Sequence, residues 1–214
     1  LYAAGYFTTA GGNHASRIAK WNGSEWSALA GSLNGEALAL AVQNGELLVG
    51  GAFTEADGQP AGRIARWDGQ NWTRLGSGLD STVRSLAVSA GNVYVGGDFV
   101  EAGGVPAARL AKWDGVKWSS LGSGLDGSVW SLAVLDNELF VGGQFSIAGG
   151  QVSAYLAKAN ILELEFGLSS EGLMFSWPST GSDGFDLQRS ANVAEPASWS
   201  PSGAVVTDNG MIKS

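Results

Sequence analysis

The chain has 214 residues, of which 15% are charged, and a net charge of −8. That sign repels nucleic-acid phosphates, and the absence of cysteine excludes both a disulfide framework and a thiolate metal site, although it does not fix the compartment. No apolar run approaches the roughly 18 residues of a membrane span, and 33 glycines beside 9 tryptophans describe a turn-rich all-β chain of short strands.

One unit of 46 residues recurs along the chain, beginning at Leu1, Leu47, Val93 and Leu139. Each copy opens on an apolar run ending in Gly-x-Phe: LYAAGYF, LLVGGAF, VYVGGDF and LFVGGQF. Phe7, Phe53, Phe99 and Phe145 hold one position of the unit. Trp21, Trp67 and Trp113 hold a second, and Trp26, Trp72 and Trp118 a third. A fixed period of this length marks a repeat architecture, in which residues recurring in every unit serve packing first.

The copy from Leu79 to Leu121 predicts four strands. Val83–Val88 is short, apolar and bounded by turn residues, so it reads as a buried strand. Ser89-Ala90-Gly91-Asn92 turns the chain into a second strand, Val93–Phe99, whose Gly96-Gly97 pair removes side chains where neighbours approach closely. A longer loop, VEAGGVP, leads to Arg109–Trp113, which alternates with the period of two expected of a strand. Asp114-Gly115 is a hairpin signal, and Trp118–Leu121 forms the fourth strand. Four short antiparallel strands per unit predict a β-propeller blade, whereas the glycine density and the missing 3.6 period exclude helical repeats. The strands present amount to about three and a half blades, against the roughly four to eight of closed propellers. The reading is therefore of a fragment, with N-terminal blades missing that are needed to close the ring and exposed edges that closure would remove.

The apolar strand, the second strand ending in Gly-Gly, the third ending in aromatic-Asp and a following Trp (VWSLAV–LFVGG, and RLAKWDG–KW after VYVGG) resemble kelch-type propeller repeats. Trp replaces the usual Tyr before Asp, and the spacing is similar to kelch-like repeats found in tandem in bacterial secreted and surface proteins. The resemblance covers Leu1 to about Asn160, and it implies an extracellular or cell-surface location. It is nearly silent on ligand.

The pattern fails after Lys158, where Ala159 stands in place of Trp and Ile161 in place of Asp-Gly. This divides the chain into a propeller fragment, 1–160, and a second module, 161–214. ILELEFGLS, GLMFSWP and GFDLQRS are strand-like runs bounded by turns, and their spacing suggests the start of a small β-sandwich. The string LMFSWPST…GFDLQRSAN…SWS resembles a fibronectin-type-III-like module.

Arg17, Arg63 and Arg109 recur, as do Lys20, Arg66, Lys112 and Lys158. Stems packed on tryptophan faces, with the charge paired or solvated, explain them better than catalysis does. The paired tryptophans read as blade packing rather than as sugar platforms. Asn34, Asp80 and Asp126 recur in the connector, where turn capping is expected, since no local array supplies the roughly 6–8 oxygens of a calcium site. Asp57-Gly58, Asp68-Gly69 and Asp114-Gly115 are read as turn chemistry. His14, the lone histidine, lies in a loop, and no G-x-S-x-G, H-E-x-x-H, P-loop or dinucleotide fingerprint accompanies it. No catalytic residue, metal ligand or cofactor is assigned.

Function is sought where the copies differ, because packing demands sameness and ligands do not. The long loops 7–13, 53–59, 99–105 and 145–151 and the connectors 30–36, 76–82 and 122–128 are expected on one end of the blades. Near that end the residue after the connector varies as Leu38, Arg84 and Trp130, and the residue before each Phe varies as Tyr6, Ala52, Asp98 and Gln144. The candidate binding residues are Arg84, Trp130, Tyr6, Asp98 and Gln144. The expected function is a non-enzymatic binding or scaffold module of an exported bacterial protein, with a protein or glycan as partner. The alternatives are a carbohydrate-active propeller enzyme with its catalytic residues in missing blades, and a purely structural surface protein.

Overall fold

The computed structural model describes residues 1–161, 165–169, 172–176, 188–189 and 200–201. Every element in it is a strand, in chain order β1 (Tyr2–Ala4), β2 (Thr9–Ala10), β3 (Asn13–His14), β4 (Ile18–Trp21), β5 (Trp26–Ala28), β6 (Ala37–Gln43), β7 (Glu46–Gly51), β8 (Glu55–Ala56), β9 (Gln59–Pro60), β10 (Ile64–Trp67) and β11 (Trp72–Arg74). There follow β12 (Val83–Ser89), β13 (Asn92–Gly97), β14 (Glu101–Ala102), β15 (Val105–Pro106), β16 (Leu110–Trp113), β17 (Trp118–Ser120), β18 (Ser128–Leu135), β19 (Glu138–Gln144), β20 (Ile147–Ala148), β21 (Gln151–Val152) and β22 (Leu156–Asn160).

Fourteen of these strands form four blade sheets, β1-β4-β5, β6-β7-β10-β11, β12-β13-β16-β17 and β18-β19-β22, and the other eight pair as four two-stranded hairpins. Each consists of neighbouring strands joined in sequence, which is the meander of a propeller blade. The first strands of successive sheets pack together, β6 against β12 and β12 against β18, so they form the inner edge of the blades. The chain is a β-propeller of consecutive four-stranded units, with three strands present in its first and last sheets.

The chain divides into one compact unit, Leu1–Leu135 with Leu139–Ala159, and a second, Asp136–Glu138 with Asn160–Ser214. In the second, β23 (Glu165–Ser169) pairs with β24 (Gly172–Ser176), and β25 (Gln188–Arg189) with β26 (Ser200–Pro201). The rest of the fibronectin-like reading lies outside the described residues.

Glycine at the end of the second strand makes blade stacking possible. A Cβ at Gly96 would collide with the Cγ1 of Val129 in the next blade, and one at Gly50 with the Cγ1 of Val83. The first interface uses Ala4 and Ala37 at the same two repeat positions, trading a methyl on one side for two on the other. Of the recurrent phenylalanines, Phe53 and Phe99 are fully buried and Phe145 nearly so, while Phe7, in the first sheet, is half-buried.

The recurrent tryptophans pair within blades. Trp21–Trp26, Trp67–Trp72 and Trp113–Trp118 have ring centroids 5.5, 5.1 and 5.2 Å apart, tilted by 43–50°. The second ring of a pair also reaches the preceding blade, because Trp72 Nε1 donates to Ala30 O at 2.8 Å and Trp118 Nε1 to Leu75 O at 3.0 Å.

Two expectations about local structure are corrected. The third strand starts at Leu110 rather than Arg109, because Arg109 adopts φ +67°, as do Arg17, Arg63 and Tyr155 at the same repeat position. That conformation aims the arginine at backbone carbonyls instead of a tryptophan face: Arg17 Nη1 donates to Leu33 O at 3.0 Å and Arg63 Nη1 to Leu79 O at 2.9 Å. The second correction concerns the long loops, each of which contains a two-residue hairpin, β2-β3, β8-β9, β14-β15 or β20-β21. Such short ladders carry no periodicity to read.

Candidate functional site

The connectors and long loops meet at one end of the blades. Leu33, Leu79 and Leu125 form isolated bridges to Ala56, Ala102 and Ala148 of the following hairpin. Beside them, Asn34 Oδ1 accepts from the amides of Thr54 and Glu55, Asp80 Oδ1 from Val100 and Glu101, and Asp126 Oδ1 from Ser146 and Ile147, all at 2.8–3.0 Å. These side chains therefore cap a turn about 20 residues downstream rather than their own. The loop-rich end is rigidly tied, one blade to the next.

Asp126 is held at about 2, first by the Ser146 hydroxyl and then by the Ile147 and Ser146 amides. Its carboxyl is depressed in the folded chain, so it contributes stability above its ordinary value of 3.8 and loses that contribution as pH falls toward 2. Asn34 makes the same two backbone bonds without titrating. Asp126→Asn is therefore expected to flatten the acid limb of stability between about pH 4 and 2 while leaving neutral-pH stability little changed. Thermal melts recorded from about pH 2 to 6 check this, and an unchanged acid limb would count against the cap.

The inner edge of this end carries the candidate residues. The β6–β7 and β12–β13 ladders shift register between Ala37 and Ala39 and between Val83 and Ser85, so Leu38 and Arg84 occupy bulges. A bulge re-aims its side chain, and here the extra residue sits at the mouth of the blade. Arg84 Nε lies 2.9 Å from both carboxylate oxygens of Asp98, and Nη2 lies 2.7 Å from Oδ2. The Asp98 carboxyl is lowered chiefly by Arg84, opposed by partial burial and assisted by the Ser128 hydroxyl, and the Arg84 guanidinium is raised by the same pairing. Arg109 Nη1 bonds the main-chain oxygen of Asp98, fixing the acid from behind.

Trp130 occupies the same repeat position on β18, 55% exposed, and Gln144 ends β19 as an exposed side chain. Tyr6, 87% exposed, stands over a 190 Å³ hollow shared with Phe7, Thr8 and Arg17. The structure thus brings Arg84 and Asp98 together, while Tyr6, Trp130 and Gln144 bond neither of them. Ser128 and Glu36 also act on this pair, and the sequence alone did not single them out. The column order 36, 82, 128 (Glu, Thr, Ser) was the available signal.

Among the described residues no three His, Asp or Glu side chains gather to hold a metal ion, and no helix is long and apolar enough to cross a membrane. His14 is exposed on β3, opposite Thr9.

The blades and their connectors define a β-propeller protein. Residues 68–171 match the family described as "Rax2 C-terminal beta propeller domain", and residues 43–68 match "Domain of unknown function (DUF5122) beta-propeller". No curated protein matches the chain. Among solved structures, the crystal structure of the computationally designed Ika8 protein is 17% identical, with a TM-score of 0.26, and the alignment covers 68% of this chain and 60% of that one.

Proposed function

We propose that the chain is a non-enzymatic binding or scaffold module of an exported bacterial protein, which presents the loop-rich end of its propeller to a protein or glycan. The observation that carries this reading is one repeat position that displays Leu38 and Arg84 on β-bulges and an exposed Trp130 on β18. A scaffold that repeats while its displayed side chains differ is suited to recognition. The 161–214 segment serves in this reading as a fibronectin-like spacer, and the location is extracellular.

The test is a glycan-array screen and a pull-down from cell-surface extract with the 214-residue chain, Arg84→Ala and Trp130→Ala. Loss of about tenfold or more in retained partner for both variants, with unchanged melting, is expected. Wild-type behaviour of both variants would sink the proposed face.

A further inference from the structure

The repeats also disagree on the outer flank of the second blade, at three positions. In the hairpin turn the copies carry Gly11, Asp57, Gly103 and Gly149, all with φ between +52° and +63°. In the connector, Ala30-Gly31-Ser32 replaces the Gly-Ser-Gly of 76–78 and 122–124. On the outer strand Arg74 stands where the other copies have Ala28 and Ser120.

The consequence is geometric. In the third blade the hairpin β14-β15 closes on the outer strand β17, and a Cβ at Gly103 would strike the Trp118 side chain. In the first blade, Asn13 Nδ2 bonds Trp26 O at 2.9 Å and ties its hairpin down similarly. Asp57 carries the very Cβ that this closure forbids. Its side chain lies instead over Gly31, where a Cβ would come within 2.6 Å of it. Trp72 correspondingly bonds Ala30 O, one residue beyond the repeat equivalent of the carbonyl that Trp118 uses. A cavity of about 470 Å³ opens between hairpin and strand, floored by buried Ala61 and Ala65 and walled by Gln59 and Pro60 on one side and Trp72 and Arg74 on the other.

We propose that this cavity is a binding site for a carboxylate-bearing sugar residue, distinct from the loop-rich inner mouth and independent of the reading given to it. Its volume falls within the roughly 300–1,000 Å³ of small-molecule sites. Among the arginines whose side chains are described, Arg17, Arg63, Arg66, Arg84 and Arg109 each have a protein partner, and Arg74 has none. A free planar guanidinium is matched bidentately by a carboxylate. The half-buried Trp72 ring offers a π face to the positively polarised C–H face of a pyranose, and the Gln59 amide both donates to and accepts from hydroxyls. The net charge of −8 disfavours a polyanion at long range, so the ligand is a single acidic unit on an otherwise neutral glycan.

The experiment is an NMR titration of the ¹⁵N-labelled 214-residue chain, following the Trp72 indole N–H. The probes are a glucuronate-containing disaccharide, the same disaccharide with its carboxyl reduced to a hydroxymethyl group, and an acetylated Glu-Glu dipeptide. The proposal expects saturable shifts at Trp72 with the acidic disaccharide, at least about tenfold weaker binding with the reduced one, and a comparable loss in Arg74→Ala that Arg74→Lys partly restores. Asp57→Gly, which rebuilds the closed turn of the third blade, is expected to abolish the shifts while the chain keeps its fold. Equal binding of acidic and reduced disaccharides, preference for the dipeptide, wild-type affinity of Arg74→Ala or Asp57→Gly, or shifts that bypass Trp72 would each overturn it. Failure here leaves the Arg84 and Trp130 pull-downs untouched, so the two sites are judged separately.

Discussion

Replacing Gly96 by alanine is expected to destabilise the propeller by about 1–3 kcal/mol, the usual cost of overpacking a filled core. The added methyl would run into Val129 Cγ1, which is fully buried and has no free direction in which to move. The backbone at Gly96 is not in the left-handed region, so the cost is steric and not conformational. Val129→Ala alone is expected to cost about 1–3 kcal/mol, from two lost methyls and the cavity they leave. The double variant recreates the Ala4/Ala37 pairing already present at the first interface. Its cost should therefore fall short of the sum by at least about 1 kcal/mol. Chemical denaturation of the four members of the cycle measures the coupling. Additivity within about 0.5 kcal/mol would mean that Gly96 and Val129 do not share the same space in solution.

Trp118→Ala is expected to cost about 3–5 kcal/mol, near the upper end for a single buried aromatic. The ring is 6% exposed, packs in a cluster with Leu75, Leu79 and Phe99, and lies 5.2 Å from Trp113. Its indole N–H is also the donor to Leu75 O across the blade interface. Trp118→Phe keeps most of the apolar area and loses only the indole bond, because Leu75 O still accepts from the Gly78 amide at 3.1 Å, and about 0.5–1.5 kcal/mol of loss is expected. Trp72→Ala should cost less than Trp118→Ala, because its ring borders the open cavity of the second blade. Equilibrium unfolding followed by far-ultraviolet circular dichroism ranks the three. Equal losses at Trp72 and Trp118 would argue against the opening of the hairpin beside Trp72.

Asp57 illustrates how a site hides in a repeat. Read alone, Asp57-Gly58 is ordinary turn chemistry, and it does sit in a turn at φ +52°. Set in its column against Gly11, Gly103 and Gly149, it is the one side chain in a position built for none. That contrast was legible without coordinates. Its effect was not, because the clash it avoids is with a tryptophan 15 residues away in the third blade's frame, Gly103 against Trp118. Arg84 and Asp98 stood out as variable positions, but their pairing depends on a one-residue bulge at Val83–Ser85 that no period of two encodes. The long-loop hairpins and the reach of Asp80 to Val100 escaped for the same reason, since both are set by where a loop returns and not by local propensity.

The sequence by itself determined the repeat, the all-β class and the four strands per unit. All of these follow from periodicity and local chemistry, which are properties of neighbours along the chain. Tertiary structure alone decided which groups meet: Gly96 with Val129, Arg84 with Asp98, and Asp57 with Gly31. Those pairings arise because identical blades stack at close-packed density, so any residue that differs from its column must be accommodated by a neighbour from another part of the repeat.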